Sequence, residues 1–307
     1  MAAPTQGRPR SASVRERTGI EFPIRLFRDS RERAMSSDVI RANVEVHSRM
    51  VEVYGKEPHF RPENQAKVRG VLADLRTRAK GGKLLDLGCG TGFIINLARD
   101  LFDEIHGLDV TPAMLAKIDT SRGNITVHNT NAERLPFGDG AFDVVTGYSF
   151  LHHLEDFRPV LRETFRVLKP GGLGYFDLDP NRLFWKALMD LEGSHAAGLS
   201  DIVQREIQAI LHLDEQVEAE YGIKKELFQK AEPMKAFQGG LHPAEFKAAA
   251  EECGFSECDV RFEWFLGQGA VMHGQSFEAS ATVEAYLRRA LPLTGHLFKY
   301  LQFLVRK

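Results

Sequence analysis

Leu84-Leu85-Asp86-Leu87-Gly88-Cys89-Gly90-Thr91-Gly92 decides the fold. Four residues of strand character run into a turn with glycine at alternate positions, and an apolar helical pattern follows directly. Gly88 and Gly90 let the backbone bend tightly and approach a ligand with no Cβ in the way. The helix opening near Gly92 offers unpaired N–H groups and a positive dipole end to an anionic group. Alone, such a turn also serves as a plain strand-to-helix connection.

Working outward, Asp109 stands seventeen residues beyond Gly92 and ends the next apolar run, Ile105-His106-Gly107-Leu108-Asp109. In nucleotide-binding sheets an acidic side chain at this place accepts hydrogen bonds from both ribose hydroxyls. Its ordinary reading is a helix cap before Thr111-Pro112. The pairing favours a nucleotide-like ligand, and spacing alone leaves a dinucleotide or an adenosyl-sulfonium open.

Short apolar runs continue at 83–87, 104–109, 125–128, 142–147 and 173–178, separated by amphipathic stretches at 92–102, 112–118 and 157–168. This alternation predicts an α/β fold: a doubly wound, mostly parallel sheet with helices on both faces. Upstream, residues 36–79 read as two helices broken at Pro58 and Pro62. Downstream, 181–235 holds helical patterns and no strand, and a helix at 243–253 and a strand at 258–266 resume the sheet. Phe298–Val305 fits a closing strand or a helix.

Composition sets bounds. The 307 residues suffice for a sizeable core, and 43% hydrophobic with 27% charged residues is ordinary for a globular protein. With 40 basic and 42 acidic side chains the net charge is −2, which gives no pull toward nucleic acid or anionic membrane. Cys89, Cys253 and Cys258 form no C-x-x-C pair and accompany no zinc-type histidine spacing, so neither a disulfide framework nor a metal site is expected. A reducing, cytoplasmic location follows. Leu291–Val305 is too short and too charged to span a bilayer. The Arg-, Ser- and Ala-rich residues 1–35 read as a disordered tail, with an organellar transit peptide as the alternative.

The motif LDLGCGTG resembles the first motif of class I S-adenosylmethionine-dependent methyltransferases. Asn131-Ala132-Glu133-Arg134-Leu135-Pro136-Phe137, Phe142-Asp143-Val144-Val145 and Leu168-Lys169-Pro170-Gly171-Gly172 extend the likeness over about residues 80–180, and it continues weakly over 240–266. In order and spacing they are similar to the small-molecule branch that includes the ubiquinone and menaquinone methyltransferases. The resemblance implies a seven-stranded Rossmann-like sheet, S-adenosylmethionine as cofactor, and a small-molecule acceptor with no nucleic acid. It implies that Asp86, Gly88, Cys89, Gly90 and Gly92 hold the methionine end. Asp109 and Val110 would hold the ribose, Met114 would pack on the adenine, and Asn131, Ala132 and Glu133 would meet its edge. Asn131 departs from the more frequent aspartate but keeps an acceptor oxygen.

His152 and His153 follow the fourth strand at its carboxyl end and are the candidates for a general base; packing or capping is their plain reading. Tyr148 and His242 are further candidates to line the pocket. The Phe184, Trp185, Leu188 and Met189 stripe reads as core. On this view 36–79 is a helical cap and 80–307 the methyltransferase domain. Residues 181–240 form a lid that bounds the acceptor pocket opposite 36–62, or else the surface of a homodimer. The rivals are an RNA methyltransferase, which needs a basic stripe this chain lacks outside its N-terminal residues, and a cofactor-binding protein without methyl transfer.

Overall fold

The computed structural model describes residues 37–56, 60–193 and 199–307. These lie in the unit Arg31–Lys307, and the tail expected over 1–35 falls outside the described residues. Strands β1 (Lys83–Leu87), β2 (Glu104–Asp109), β3 (Ile125–Asn129), β4 (Phe142–Tyr148), β5 (Leu168–Pro180), β6 (Glu257–Phe265) and β7 (Phe298–Arg306) form one sheet. Their order is β3-β2-β1-β4-β5-β7-β6. The first five are parallel, and β7 runs antiparallel to both β5 and β6.

Alternate residues of the central strands feed opposite cores. Leu85, Leu87, Val145 and Phe176 join Phe246 and Phe303 in one. Leu84, Val144, Leu173 and Tyr175 join Val68, Leu72 and Ile94 in the other. Burial on both faces explains why β4 is apolar or small almost throughout, with all seven residues buried. Helices α2 (Pro62–Arg78), α3 (Phe93–Ala98) and α4 (Pro112–Leu115) supply residues to the second core. Helices α5 (Arg158–Val167) and α11 (Pro243–Cys253) supply the first.

The segment 298–305, open to either reading, is a strand whose Phe298, Leu301, Phe303 and Val305 are all fully buried. Strand β5 starts five residues earlier than its apolar run, because the ladder pairs Leu168 with Phe142 and resumes at Leu173. The register shift between these pairs takes Pro170 and Gly171 out of regular pairing, which is where a strand tolerates proline.

Helix α1 (Ser37–Met50) precedes the sheet, and a short 3₁₀ turn at Tyr54–Lys56 follows it. Between β5 and α11 come α6 (Arg182–Gly193), α7 (Asp201–Leu211), α8 (Leu213–Tyr221), α9 (Lys225–Ala231) and α10 (Pro233–Gln238). Ala42, Val46 and Met50 of α1 pack with Val217, Ile223, Phe228 and Ala231 into a core of their own. Phe184 and Leu188 bury against Ile207, as core, while Met189 is exposed. Two helices not read from the sequence, α12 (Gln268–Gly274) and α13 (Phe277–Arg289), lie between β6 and β7.

Candidate active site

Between β1 and β4 the strand order reverses, and open α/β sheets bind ligands outside the carboxyl ends of their strands at such a point. A cleft of about 590 Å³, its mouth included, opens there. Its wall takes Gly88 and Gly90 from the turn after β1, Asp109, Val110, Thr111 and Met114 from the end of β2, and Asn131 and Ala132 after β3. Ser149, Phe150 and His153 come from the segment after β4, and Asn43, His47 and Tyr54 from the N-terminal helix and its turn. A smaller pocket of about 300 Å³ shares Tyr54, Gly88 and Gly90 with it and is lined further by Asp86, Cys89, Phe93 and Tyr148.

The glycine turn is held by the acid that the sequence paired with it. Asp109, 8% exposed, accepts the Gly90 N–H at 3.0 Å on one oxygen and the Thr111 N–H at 2.8 Å on the other. Gly88 has φ +63°, and a Cβ there would stand 2.3 Å from Phe150 Cδ2. Only glycine meets both demands. Cys89 fills the space left by Gly107, where a Cβ would come within 2.9 Å of its Sγ. Burial pushes its thiol well up, so it is an inert packing group.

Asp86 is 1% exposed and accepts a hydrogen bond from Thr146 Oγ1 at 2.8 Å. Burial pushes its carboxyl up to about 8; the Thr146 bond opposes this and nearby Asp109 adds to it. Tyr148 OH accepts from Asn64 Nδ2 at 2.8 Å, which ties α2 to the smaller pocket. Asn131 Oδ1 caps the Glu133 N–H at 3.0 Å. Glu133 itself does not line the cleft.

The two histidines part company. His153 lines the cleft, and its Nδ1 lies 2.9 Å from the Ala231 carbonyl, so Nδ1 carries the proton and Nε2 the lone pair. His152 is buried away from the cleft wall. Asp179 Oδ1 accepts its backbone N–H at 3.0 Å and meets its Nδ1 at 2.9 Å. Burial, reinforced by neighbouring imidazoles, lowers His153 to about 3 and His47 to about 4; burial likewise takes His152 to about 4. All three rings are neutral at neutral pH. His242 stands at the N-cap position of α11 without a side-chain capping bond and does not line the cleft.

One expectation needs correction. No described residue of 181–240 lines the cleft, whose roof is α1 and the Tyr54 turn. The insertion sits behind α1, through the Ala42–Phe228 core, and touches the site from behind at His153. Val217, Ile223, Phe228 and Ala231 of the insertion are spent on α1, while Ile202 and Leu213 stay exposed. Tyr54, His47, Asn43, Thr111 and Phe150 were not singled out in the sequence; Asn43, His47 and Tyr54 fall in the stretch 36–62 expected to bound the pocket, and Phe150 lies two residues before His152, just after a strand end.

Residues 85–176 match the methyltransferase domain family. With the sheet order and the glycine–Asp109 turn, this match defines the class: the chain carries a class I S-adenosylmethionine-dependent methyltransferase domain, whose cofactor is S-adenosylmethionine. Over 121 residues it is 39% identical to a demethylmenaquinone methyltransferase of Listeria welshimeri, across 36% of this chain and 51% of that protein. Over 94 residues it is 37% identical to a demethylmenaquinone methyltransferase of Chlorobaculum parvum, across 30% and 39%. The chain thus spans about half or less of the length of these curated relatives. A solved phospholethanolamine N-methyltransferase 2 of Haemonchus contortus, in complex with phosphomonomethylethanolamine and S-adenosylhomocysteine, superposes with TM-score 0.50 at 16% identity. That match covers 88% of this chain and 57% of that one, and it concerns the fold alone.

Proposed function

We propose that the protein transfers a methyl group from S-adenosylmethionine to a small-molecule acceptor by in-line displacement, in a reducing, cytoplasmic setting. The observation that carries the reading is one cleft, at the reversal of strand order, with the Asp109-stapled glycine turn on one wall and His153 on the other. The residues fit the cofactor: the buried Thr111 Oγ1 in the wall has no hydrogen-bond partner, and the buried acid Asp86 lines the smaller pocket. Asp86, Gly88, Cys89, Gly90 and Gly92 would hold the methionine end, Asp109 and Val110 the ribose, and Met114, Asn131 and Ala132 the adenine, with Glu133 behind Asn131 and off the cleft wall. When bound, the cofactor supplies an electrophilic methyl on a sulfonium with a neutral leaving group.

The protein's part is mainly positioning, which supplies several kcal/mol. Phe150, Leu154 and Tyr54 exclude water from the cleft, and Tyr148 closes the smaller pocket. His153 faces the acceptor with Nε2 as a hydrogen-bond acceptor; a ring lowered to about 3 orients a hydroxyl or amine better than it deprotonates one. His152 positions its neighbour through the Asp179 bond. No described helix is long and apolar enough to cross a membrane. The test is calorimetry with S-adenosylmethionine and S-adenosylhomocysteine, then a panel of small hydroxyl, amine and quinol acceptors scored by S-adenosylhomocysteine release. Micromolar binding and release with one acceptor class is expected. Binding of NADH without either adenosyl compound would overturn the reading.

A further inference from the structure

We infer that His152, His153 and Glu232 form a binding site for a divalent transition-metal ion beside the cleft. The expectation of no metal rested on cysteine pairs and on short histidine spacings. This trio is assembled across segments: a 3₁₀ turn at Leu151–His153 brings the imidazoles together, and Glu232 joins α9 to α10. One donor atom from each of the three lies within 4.8 Å of the others, and His152 Nε2 is 4.0 Å from Glu232 Oε1. Donors about 2.0–2.2 Å from a tetrahedral ion lie about 3.3–3.6 Å apart, so the three side chains must draw together by up to about 1 Å to close on an ion.

The surroundings supply the outer support that metal-bound side chains have. His152 Nδ1 bonds Asp179 Oδ1, an oxygen that already accepts a backbone N–H, so the ring nitrogen donates. His153 Nδ1 donates to the Ala231 carbonyl. Both bonds leave Nε2 as the lone-pair nitrogen and fix the two rings, whose centroids are 4.2 Å apart. Lys235 Nζ, 2.6 Å from Glu232 Oε2, holds the far carboxylate oxygen and leaves Oε1 toward the histidines. His47 stands edge-on to His153 at 4.9 Å between centroids, and its buried Nδ1 has no hydrogen-bond partner. It covers the side of the site toward α1.

Two imidazole nitrogens and one carboxylate oxygen, with no sulfur, suit Zn²⁺ and its first-row neighbours. Three protein ligands leave at least one coordination position free. Since His153 lines the cleft, that position is within reach of what the cleft holds, and while an ion is bound His153 Nε2 ligates it in place of accepting a hydrogen bond from the methyl acceptor.

The full chain, stripped with a chelator, is titrated with Zn²⁺ against a chromophoric competitor and with Co²⁺ alone. One equivalent should bind, Co²⁺ should give visible d–d bands, and X-ray absorption should show a nitrogen and oxygen shell with two imidazoles. His153→Gln and Glu232→Gln should each weaken binding by about 100-fold or more, beyond the 10–100-fold typical of losing an outer partner. His106→Gln is the control, because His106 Nδ1 and His128 Nε2 form a second imidazole pair 2.9 Å apart. The inference is overturned if wild type takes up no ion, if a sulfur ligand appears, if both site variants bind as wild type does, or if only His106→Gln loses the ion. The wild-type spectra decide even where a variant does not fold. No methyl donor is present, so the outcome is independent of the proposed methyl transfer.

Discussion

Asp109 does two jobs, and its replacement separates them. In Asp109→Ala the ribose acceptor disappears, and calorimetry should show cofactor affinity lower by about 1.5–3 kcal/mol, the range for hydrogen bonds to a charged group. Because the same carboxylate holds the Gly90 and Thr111 N–H groups, the melting temperature of the ligand-free variant should fall as well. Unchanged affinity would place the ribose elsewhere. Asp86 gives a pH signature. Its carboxyl is held at about 8 in the fold against an ordinary 3.8. Between these values the native chain keeps a proton that the unfolded chain has lost, so this residue's contribution to stability declines as pH rises from about 4 to about 8. Urea unfolding should show Asp86→Asn gaining on wild type as pH is raised from 5 to 8. Parallel pH profiles for the two would rule out a buried, protonated Asp86. At this scale the turn and its acid were legible, because glycine spacing and strand-end acids are local signals. Glu232 was not: nothing in its neighbourhood sequence says that a helix junction will carry it to His152.

Among elements, α1 and the insertion act as one layer. The core between Val46 and Phe228, together with the Ala231 contact to His153, couples α9 to the cleft roof. We predict that cofactor and acceptor together slow hydrogen exchange in both α1 and α9, at any protein concentration. Protection that instead follows protein concentration and ignores ligand would make the exposed Ile202 and Leu213 part of a homodimer surface. The helical character of both segments was legible from their apolar spacing. Which residue of α1 faces the cleft was not, since that depends on how the helix docks, and docking is set by partners far along the chain. The same reason made the insertion look like a wall of the pocket when it is the buttress of one.

On the scale of the whole molecule, β7 joins the parallel strands to β6. Its Phe303 is fully buried and stacks on Phe246 with ring centroids 3.8 Å apart. Phe303→Ala should therefore cost about 3–5 kcal/mol in chemical denaturation, a large share of the 5–15 kcal/mol that holds a typical domain together. A loss under 1 kcal/mol would mean that this core is not tightly packed. The seven-stranded sheet was implied by the family resemblance; periodicity sees each strand singly and is silent on its neighbours, so the order of the strands had to come from the structure.

The place of β7 also bears on how the chain acquires its shape during synthesis. Strand β6 leaves the ribosome first, yet among the described residues its only strand neighbour is β7. Until residues 298–306 emerge, β5 shows an open edge and β6 has no ladder to join, so two rows of backbone N–H and C=O groups wait for one late strand. The parallel half can mature while the chain grows, whereas the stretch from β6 through β7 must be sheltered until it is made. A stall in translation between residues 266 and 297 would leave the nascent protein at its most adhesive.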